Sequence, residues 1–296
     1  MRSFWFFRVY ISTFFAALIV LGSTAFVGYK CISQIDKANK LKNTAAEKYE
    51  YIPSSSEGIS FLLICKNSLE NSHNFYALVD YSPQSSLTTA VIPWQLTETV
   101  GVKKRSLDGF SEKGSARDVL VAVNTAFDID VPKYICISDA EFAEAAEIIG
   151  GVSCDVEKNI CYGGEEKYVD IKAGFQKLSG DMTAGALFEP LNFINSIDGY
   201  KRQSELFGKL FSQNFSSLSE ESFEKVFKTT VNNSATNIIA EDYEYRKDAL
   251  VYSAGSDSFS FCVITPEGDF DIKKDSFSPS ERFSSQIKAV FPSSSE

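Results

Sequence analysis

DVPKYICISDAEFAEAAEIIGGVSCDV, residues 130–156, is the stretch that decides the fold. Tyr134–Ile137 reads as a short strand, and Asp139 caps a helix that Gly150-Gly151 closes. Val152–Val156 then returns as extended chain, suggesting a hairpin edge with Tyr168–Ile171. Upstream, three strand-like runs precede it: Ile59–Cys65, Phe75–Tyr81 and Leu87–Ile92. Ser115 with Asp118 three residues on resembles a capping box and opens a helix to about Phe127. Downstream, helices are predicted over Tyr200–Phe211, over Glu220–Lys228 and within Ala240–Tyr252, followed by a strand at Phe259–Ile264. Ser278-Pro279-Ser280-Glu281 reads as a helix start, with Pro at the first helical position and Glu at the third. Strands alternating with helices predict an α/β domain: an α-β-α layered sandwich on a central mixed sheet.

The remaining segments set the organisation. Val9–Tyr29 is 21 residues without a charge, long enough to span a bilayer as a helix. Two readings of it stand: a retained anchor, or a signal peptide cleaved near Ser23-Thr24-Ala25. Residues 1–8 would be a short cytoplasmic tail, 30–57 a polar stalk ending in a flexible Pro53–Gly58 hinge, 58–291 the folded domain, and 292–296 a disordered tail. Lys30, Lys37, Lys40, Lys42 and Lys48 follow the span, the wrong bias for an external domain, although long domains cross with little regard to flanking charge. Residues 1–57 carry a net charge of +3 and the rest −13. So acidic a body repels phosphate backbones, which argues against nucleic acid as a partner. It also suits an anionic sugar-pyrophosphate poorly unless a cluster of Arg offsets it.

Six cysteines, at 31, 65, 136, 154, 161 and 262, show no C-x-x-C spacing, and His73 is the only histidine. A zinc site, a Ser-His-Asp triad and a Cys-His dyad are thereby disfavoured unless His73 serves. Beside Asn71 and Asn74, His73 reads as a solvated loop residue. Cys154 and Cys161 bracket a hairpin and would face each other as a disulfide outside the cell. Cys65 and Cys136, in apolar runs, read as small buried hydrophobes. Glu141, Glu144 and Glu147 have helical spacing and read as a solvated face.

From Gly58 to about Phe291 the order of elements resembles the LytR-CpsA-Psr family of bacterial cell-envelope proteins. FLLICKNSL (Phe61–Leu69) corresponds to a family strand ending in a Gly-x-Asp-x-Arg pattern. HNFYALVDYSP and then TTAVIPWQL correspond to an Asp-Thr strand and an Ile-Pro-Arg-Asp strand end. The 130–156 stretch matches the family's strand, helix and Gly-Gly-Val turn. LSGDMTAGAL, RQSELFGKLF and SATNI resemble a Leu-x-Gly segment, an Arg-Gln helix and a Thr-Asn-Leu segment.

The resemblance implies a membrane-anchored extracytoplasmic domain with an apolar tunnel for a prenyl chain. The activity it implies is Mg²⁺-assisted transfer of a glycopolymer from a polyprenyl-pyrophosphate carrier to the cell wall.

Departures fall on the charged positions. Asn67 and Asn74 stand where the family has Asp, Leu69 where it has Arg, and Trp94-Gln95 where it has Arg-Asp. Gly199 sits where another Arg is expected, and Phe188-Glu189-Pro190 where an Arg pair is usual. Arg202 and Gln203 survive, and Lys201 is placed to substitute for an Arg. An Asn carbonyl ligates Mg²⁺ without the carboxylate charge, which at ~2–4 Å is worth several kcal/mol even at an effective dielectric of about 20. Arg holds pyrophosphate with paired donors that Leu69, Trp94 and Gly199 lack. Each missing contact to charge on a departing phosphate costs on the order of 10²–10³ in rate.

The site expected from the resemblance therefore comprises Arg202, Gln203, Lys201, Asn67, Asn74 and Trp94 as an anion or pyrophosphate subsite, with no metal ligands and no cofactor unless activity, and with it Mg²⁺, is retained. Each has a plainer reading. Trp94 would be packing, Asn67 and Asn74 loop-edge residues, and Arg202 a surface ion pair. Three functions follow: an impaired family member that binds a polyprenyl-linked glycopolymer or an envelope partner; an active transferase with a site rearranged around Asp198, Lys201 and Arg202; or an anchored structural or adhesion domain.

Overall fold

The computed structural model describes residues 51–69, 72–163, 168–188, 197–232, 234–271 and 273–291. The compact unit begins at Ile52. Among the described residues no helix is long and apolar enough to cross a membrane. The span expected at 9–29, the tail at 1–8, most of the stalk and the tail at 292–296 lie outside them.

The fold is mixed α/β around a central mixed sheet. Its strands are β1 (Ile59–Lys66), β2 (Phe75–Ser82), β3 (Ser86–Val91), β4 (Lys133–Ser138), β5 (Ala235–Thr236) and β6 (Ser260–Ile264). They lie in the order β5-β4-β1-β2-β3-β6. β1 and β2 pair antiparallel, as do β2 and β3, while β4 runs parallel to β1 and β6 parallel to β3. Leu62, Leu63, Ile64 and Cys65 are all buried, so consecutive residues of β1 are covered and both faces of the sheet are packed. That is why this strand reads as an unbroken apolar run and not as an alternating one.

The helices are α1 (Leu107–Lys113), α2 (Ala116–Phe127), α3 (Asp139–Ile149), α4 (Gly180–Phe188), α5 (Ile197–Ser212), α6 (Glu220–Val231), α7 (Ala240–Glu244), α8 (Lys247–Ala254) and α9 (Glu281–Val290). The Ser115–Asp118 capping box forms as expected: the Ser115 N–H donates to Asp118 Oδ2 at 2.9 Å and its hydroxyl caps the Asp118 N–H. At α3 the cap is Ser138, boxed with Glu141, not Asp139, which leaves the Asp139 side chain available for other contacts. Glu144 and Glu147 are exposed, as the helical spacing predicted, and the Glu147 carboxylate also accepts the Gly180 N–H at 2.6 Å.

Three other expectations shift. Val152–Val156 pairs with Gly174–Leu178, while Ile160–Gly163 pairs with Tyr168–Ile171. Cys154 and Cys161 thus sit in different hairpins, and both are free thiols. The last helix starts after Ser280, two residues later than expected, because Ser276–Pro279 is taken up as a strand against Gly268–Asp271. Within Pro53–Gly58, Ser55–Glu57 forms a helical turn capped by Ser54, and Ser56 meets the Tyr245 hydroxyl at 2.8 Å.

One glycine is demanded outright. Gly151 has φ +68° after α3, and a Cβ there would lie 2.0 Å from the Leu178 carbonyl oxygen.

Candidate functional site

The C-terminal ends of β1, β3 and β4 and the start of β2 lie at one edge of the sheet, the position where layered α/β folds place ligands. Asn67, Asn74, Trp94 and Asp139 follow or precede those strand ends. From Trp94 the chain runs through the hairpin Thr97–Ser106 into α1, whose Leu107 N–H returns to the Trp94 carbonyl at 3.1 Å. That return brings Asp108 into the same edge.

Asp108 is 7 % exposed and accepts four hydrogen bonds or close polar contacts. The Tyr76 hydroxyl donates to Oδ1 at 2.7 Å, the Asn74 side-chain amide at 3.0 Å and the Asn74 N–H at 3.3 Å. His73 Nδ1 lies 2.8 Å from Oδ2. A second carboxylate belongs to this edge: Asp139 Oδ2 accepts from Ser68 Oγ at 2.6 Å and from the Tyr162 hydroxyl at 3.0 Å. That Tyr162 hydroxyl is also 2.9 Å from Asn67 Oδ1. Burial first, and then the neighbouring carboxylates, hold the Tyr76 and Tyr162 hydroxyls well above the usual phenol range. Both therefore remain proton donors at any physiological pH.

The family positions meet different fates here. Asn67 and Asn74 are brought together, with the Asn67 N–H donating to Asn74 Oδ1 at 3.0 Å. Both are half-buried and build the loop, in place of the solvated loop edge that was the plainer expectation. Trp94 is buried and stacks flat on His73, with ring centroids 3.6 Å apart and planes 9° from parallel. His73 is therefore a packed and bonded member of the site, not a solvated loop residue. Its partner Asp108 carried no signal in the sequence beyond being an acid in the first turn of a short helix.

Gln203 reaches the same small pocket as His73, Asn74 and Trp94, and its side-chain amide donates to the Leu187 carbonyl at 2.8 Å. Arg202 pairs with Glu157 at 2.7 Å, both side chains being largely exposed, which matches the surface ion-pair reading. It lines a separate cleft of about 170 Å³ with Glu157 and Lys209. Lys201 is exposed. Glu189 and Pro190 lie outside the described residues.

The donor set does not suit Mg²⁺. Asn67 Oδ1 already accepts from Tyr162 and from the Leu69 N–H, and Asn74 Oδ1 from Asn67. The Asp108 and Asp139 oxygens are bonded to phenols, hydroxyls, amides and the imidazole. Among the described residues no three acidic, His or Cys side chains converge as a metal would require. The same edge is unsuited to pyrophosphate, because it carries the Asp108 and Asp139 carboxylates while Leu69, Trp94 and Gly199 supply no guanidinium where the family pattern has Arg. One donor remains: Trp94 Nε1 is buried with no partner among the described residues.

Behind this edge lies an apolar cavity of about 250 Å³, between the sheet and α3, α5, α6 and α8. Ile59, Phe61 and Leu63 of β1 form its floor. Phe142 of α3 and Phe207 of α5 close it toward the polar edge, and on the other side of those rings stand Phe75 and Phe188. The four rings touch edge to face or tilted, with centroids 5.2–6.4 Å apart.

No family model matches this chain, and no curated protein sequence matches it. Solved structures do. A protein from Eubacterium siraeum described as a transcription regulator superposes with a TM-score of 0.67 at 17 % identity, over 82 % of this chain and 95 % of that one. A LytR-Csp2A-Psr enzyme from Actinomyces oris gives 0.57 at 16 % identity, over 82 % and 93 %. TagT, in its complex with LIIa-WTA, gives 0.57 at 14 % identity over the same shares.

Proposed function

For a chain that has the LytR-CpsA-Psr fold, we propose a membrane-anchored, extracytoplasmic role in which it holds a lipid-linked envelope intermediate and transfers nothing. The observation that carries this reading is the pairing of an apolar cavity of about 250 Å³ with a polar edge whose two carboxylates are bonded to its own hydroxyl, amide and imidazole groups. A cavity lined by Ile59, Phe61, Leu63 and Phe207 rewards an alkyl or prenyl chain at ~25 cal/mol per Å² of apolar surface removed from water. Leu69, Trp94 and Gly199 give a phosphoryl group no guanidinium, so charge developing on a departing phosphate meets the Asp108 and Asp139 carboxylates.

The partner class is then a polyprenyl-linked glycopolymer, or an envelope protein that receives one, and no cofactor takes part. TagT, on the same fold, is known bound to LIIa-WTA, which supports a bound-ligand role for this fold. A transferase rearranged around Asp198, Lys201 and Arg202 is not favoured, because Arg202 is paired with Glu157 and Lys201 lies in solvent.

The test is mass spectrometry of the full chain purified from membranes in mild detergent. The expected result is a long-chain lipid bound at near one per chain. Protein that is repeatedly lipid-free, and that also fails to retain added polyprenyl phosphate, would refute the reading.

A further inference from the structure

We infer that the cleft between the strand Val152–Val156 and α5 binds a short extended peptide, which adds to that strand through the N–H and C=O of Asp155. The cleft has a volume of about 170 Å³ and shares no lining residue with the apolar cavity, so peptide binding here is separate from the holding of a lipid.

Along an antiparallel pair, residues bonded across the pair alternate with residues whose backbone groups turn outward. Ser153 is of the second kind. Its N–H donates to Gln213 Oε1 at 2.8 Å, and its carbonyl accepts from Gln213 Nε2 at 2.8 Å. The side-chain amide of Gln213 thus stands where the peptide group of a third strand would stand. Two residues on, Asp155 has the same orientation, opposite Phe175 across the pair. Its N–H and C=O therefore turn to the same side, into the cleft that Asp155 lines. Asp155 is exposed, and among the described residues no side chain does for it what Gln213 does for Ser153. An unpaired strand edge of this kind is a template for another chain.

The gap at Asp155 lies between two latches. Gln213, just past the end of α5, holds Ser153, and Arg202 of α5 pairs with Glu157 at 2.7 Å. Between them helix and strand keep pace: four residues from Gln213 back to Lys209 advance about 6 Å, and two from Ser153 to Asp155 about 7 Å. Lys209 thus comes level with Asp155, across the cleft that both line. Beneath them Val156 and Leu178 are buried, with Cys154 and Leu206 packed against them, and all four line the cleft. In a peptide whose middle residue pairs with Asp155, the two flanking side chains face this apolar floor, since strand faces alternate. The small volume favours short side chains there. Gln213 stops the added strand at Ser153, which keeps the peptide short, while the exposed Arg202–Glu157 pair has little net worth and yields to an entering chain. In this mode main-chain bonds supply affinity and side-chain pockets supply selectivity.

The experiment measures binding of tri-alanine, acetylated and amidated at its ends, to the full chain in detergent by saturation-transfer NMR. Asp155→Pro removes the N–H that faces the cleft and leaves the bonds across the pair intact, while Phe175→Pro makes the same change on the far edge of the partner strand. Expected are saturable binding by the unaltered chain, a loss of affinity of at least about tenfold for Asp155→Pro and a change within about twofold for Phe175→Pro. Equal effects of the two substitutions, or no binding by the unaltered chain, overturn the inference and leave the lipid-holding reading in place. Binding of diacetylchitobiose without binding of the peptide also overturns it and assigns the cleft to an amide-bearing sugar. Should Asp155→Pro not fold, hydrogen exchange of the unaltered chain decides: peptide that slows the Asp155 amide supports strand addition. Slowing that spares residues 153–157 contradicts it.

Discussion

Asp108→Ala is expected to lower the free energy of unfolding by about 3–5 kcal/mol, the range for removing one partner from a buried charged network. The carboxylate gathers the Tyr76 hydroxyl, the Asn74 amide and N–H, and His73 Nδ1. Truncation strands the buried Tyr76 hydroxyl and leaves the half-buried Asn74 donors without their acceptor, at about 1–3 kcal/mol for each that stays unsatisfied. His73→Ala should cost far less, about 1 kcal/mol, because its side chain is 30 % exposed and water can replace it. Urea unfolding of both variants checks this, with the loss of Asp108 read as a lower midpoint at unchanged slope. Equal effects for the two substitutions would show that Asp108 does not organise the edge.

Ala145→Phe is expected to abolish lipid retention, lowering it at least about tenfold, which corresponds to ~1.4 kcal/mol of binding. Ala145 is buried on α3 and lines the cavity, so the added ring enters space that is already empty. Overpacking a filled core costs about 1–3 kcal/mol, whereas a ring placed in a void forfeits little stability. Thermal unfolding within a few degrees of the unaltered chain, together with lipid-free protein in mass spectrometry, is the expected pair of results. A stable variant that still carries its lipid would place the lipid elsewhere.

How much of this was legible in the sequence follows from range. β1, β2, β3 and β4 were legible because each is a short apolar run bounded by polar or turn residues, a signal complete within eight residues. The α2 cap was legible because Ser115 and Asp118 satisfy each other locally. The start of α9 was misread because Pro279 suits a first helical turn and a strand end equally, and only its pairing with Gly268 decides. The hairpin of Val152–Val156 was misassigned for the same reason, since its partner Gly174–Leu178 is chosen by register and not by composition.

The site was half legible. Substituted charges at Asn67, Asn74 and Trp94 could be seen against the family pattern, and Trp94 is buried and stacked on His73. Asp108, Asp139 and Tyr162 were invisible, because what they do depends on neighbours 20 or more residues away. Their arrival changes the chemistry of the edge: it is not stripped of charge but lined with carboxylates tied to hydroxyl, amide and imidazole groups. The wall of four phenylalanines was equally hidden, although the contrast of Ala77 with Phe75 on one strand face is written in the chain.

The central claim is retention without transfer. The measurement that tests it most directly incubates the full chain with Mg²⁺, a polyprenyl pyrophosphate carrying a radiolabelled glycan and an acceptor glycan, following lipid and label together. The account predicts that the intact carrier co-elutes with the protein and that release of label stays at the rate seen without protein. Repeated turnover, with label appearing on the acceptor in Mg²⁺-dependent fashion, would contradict it.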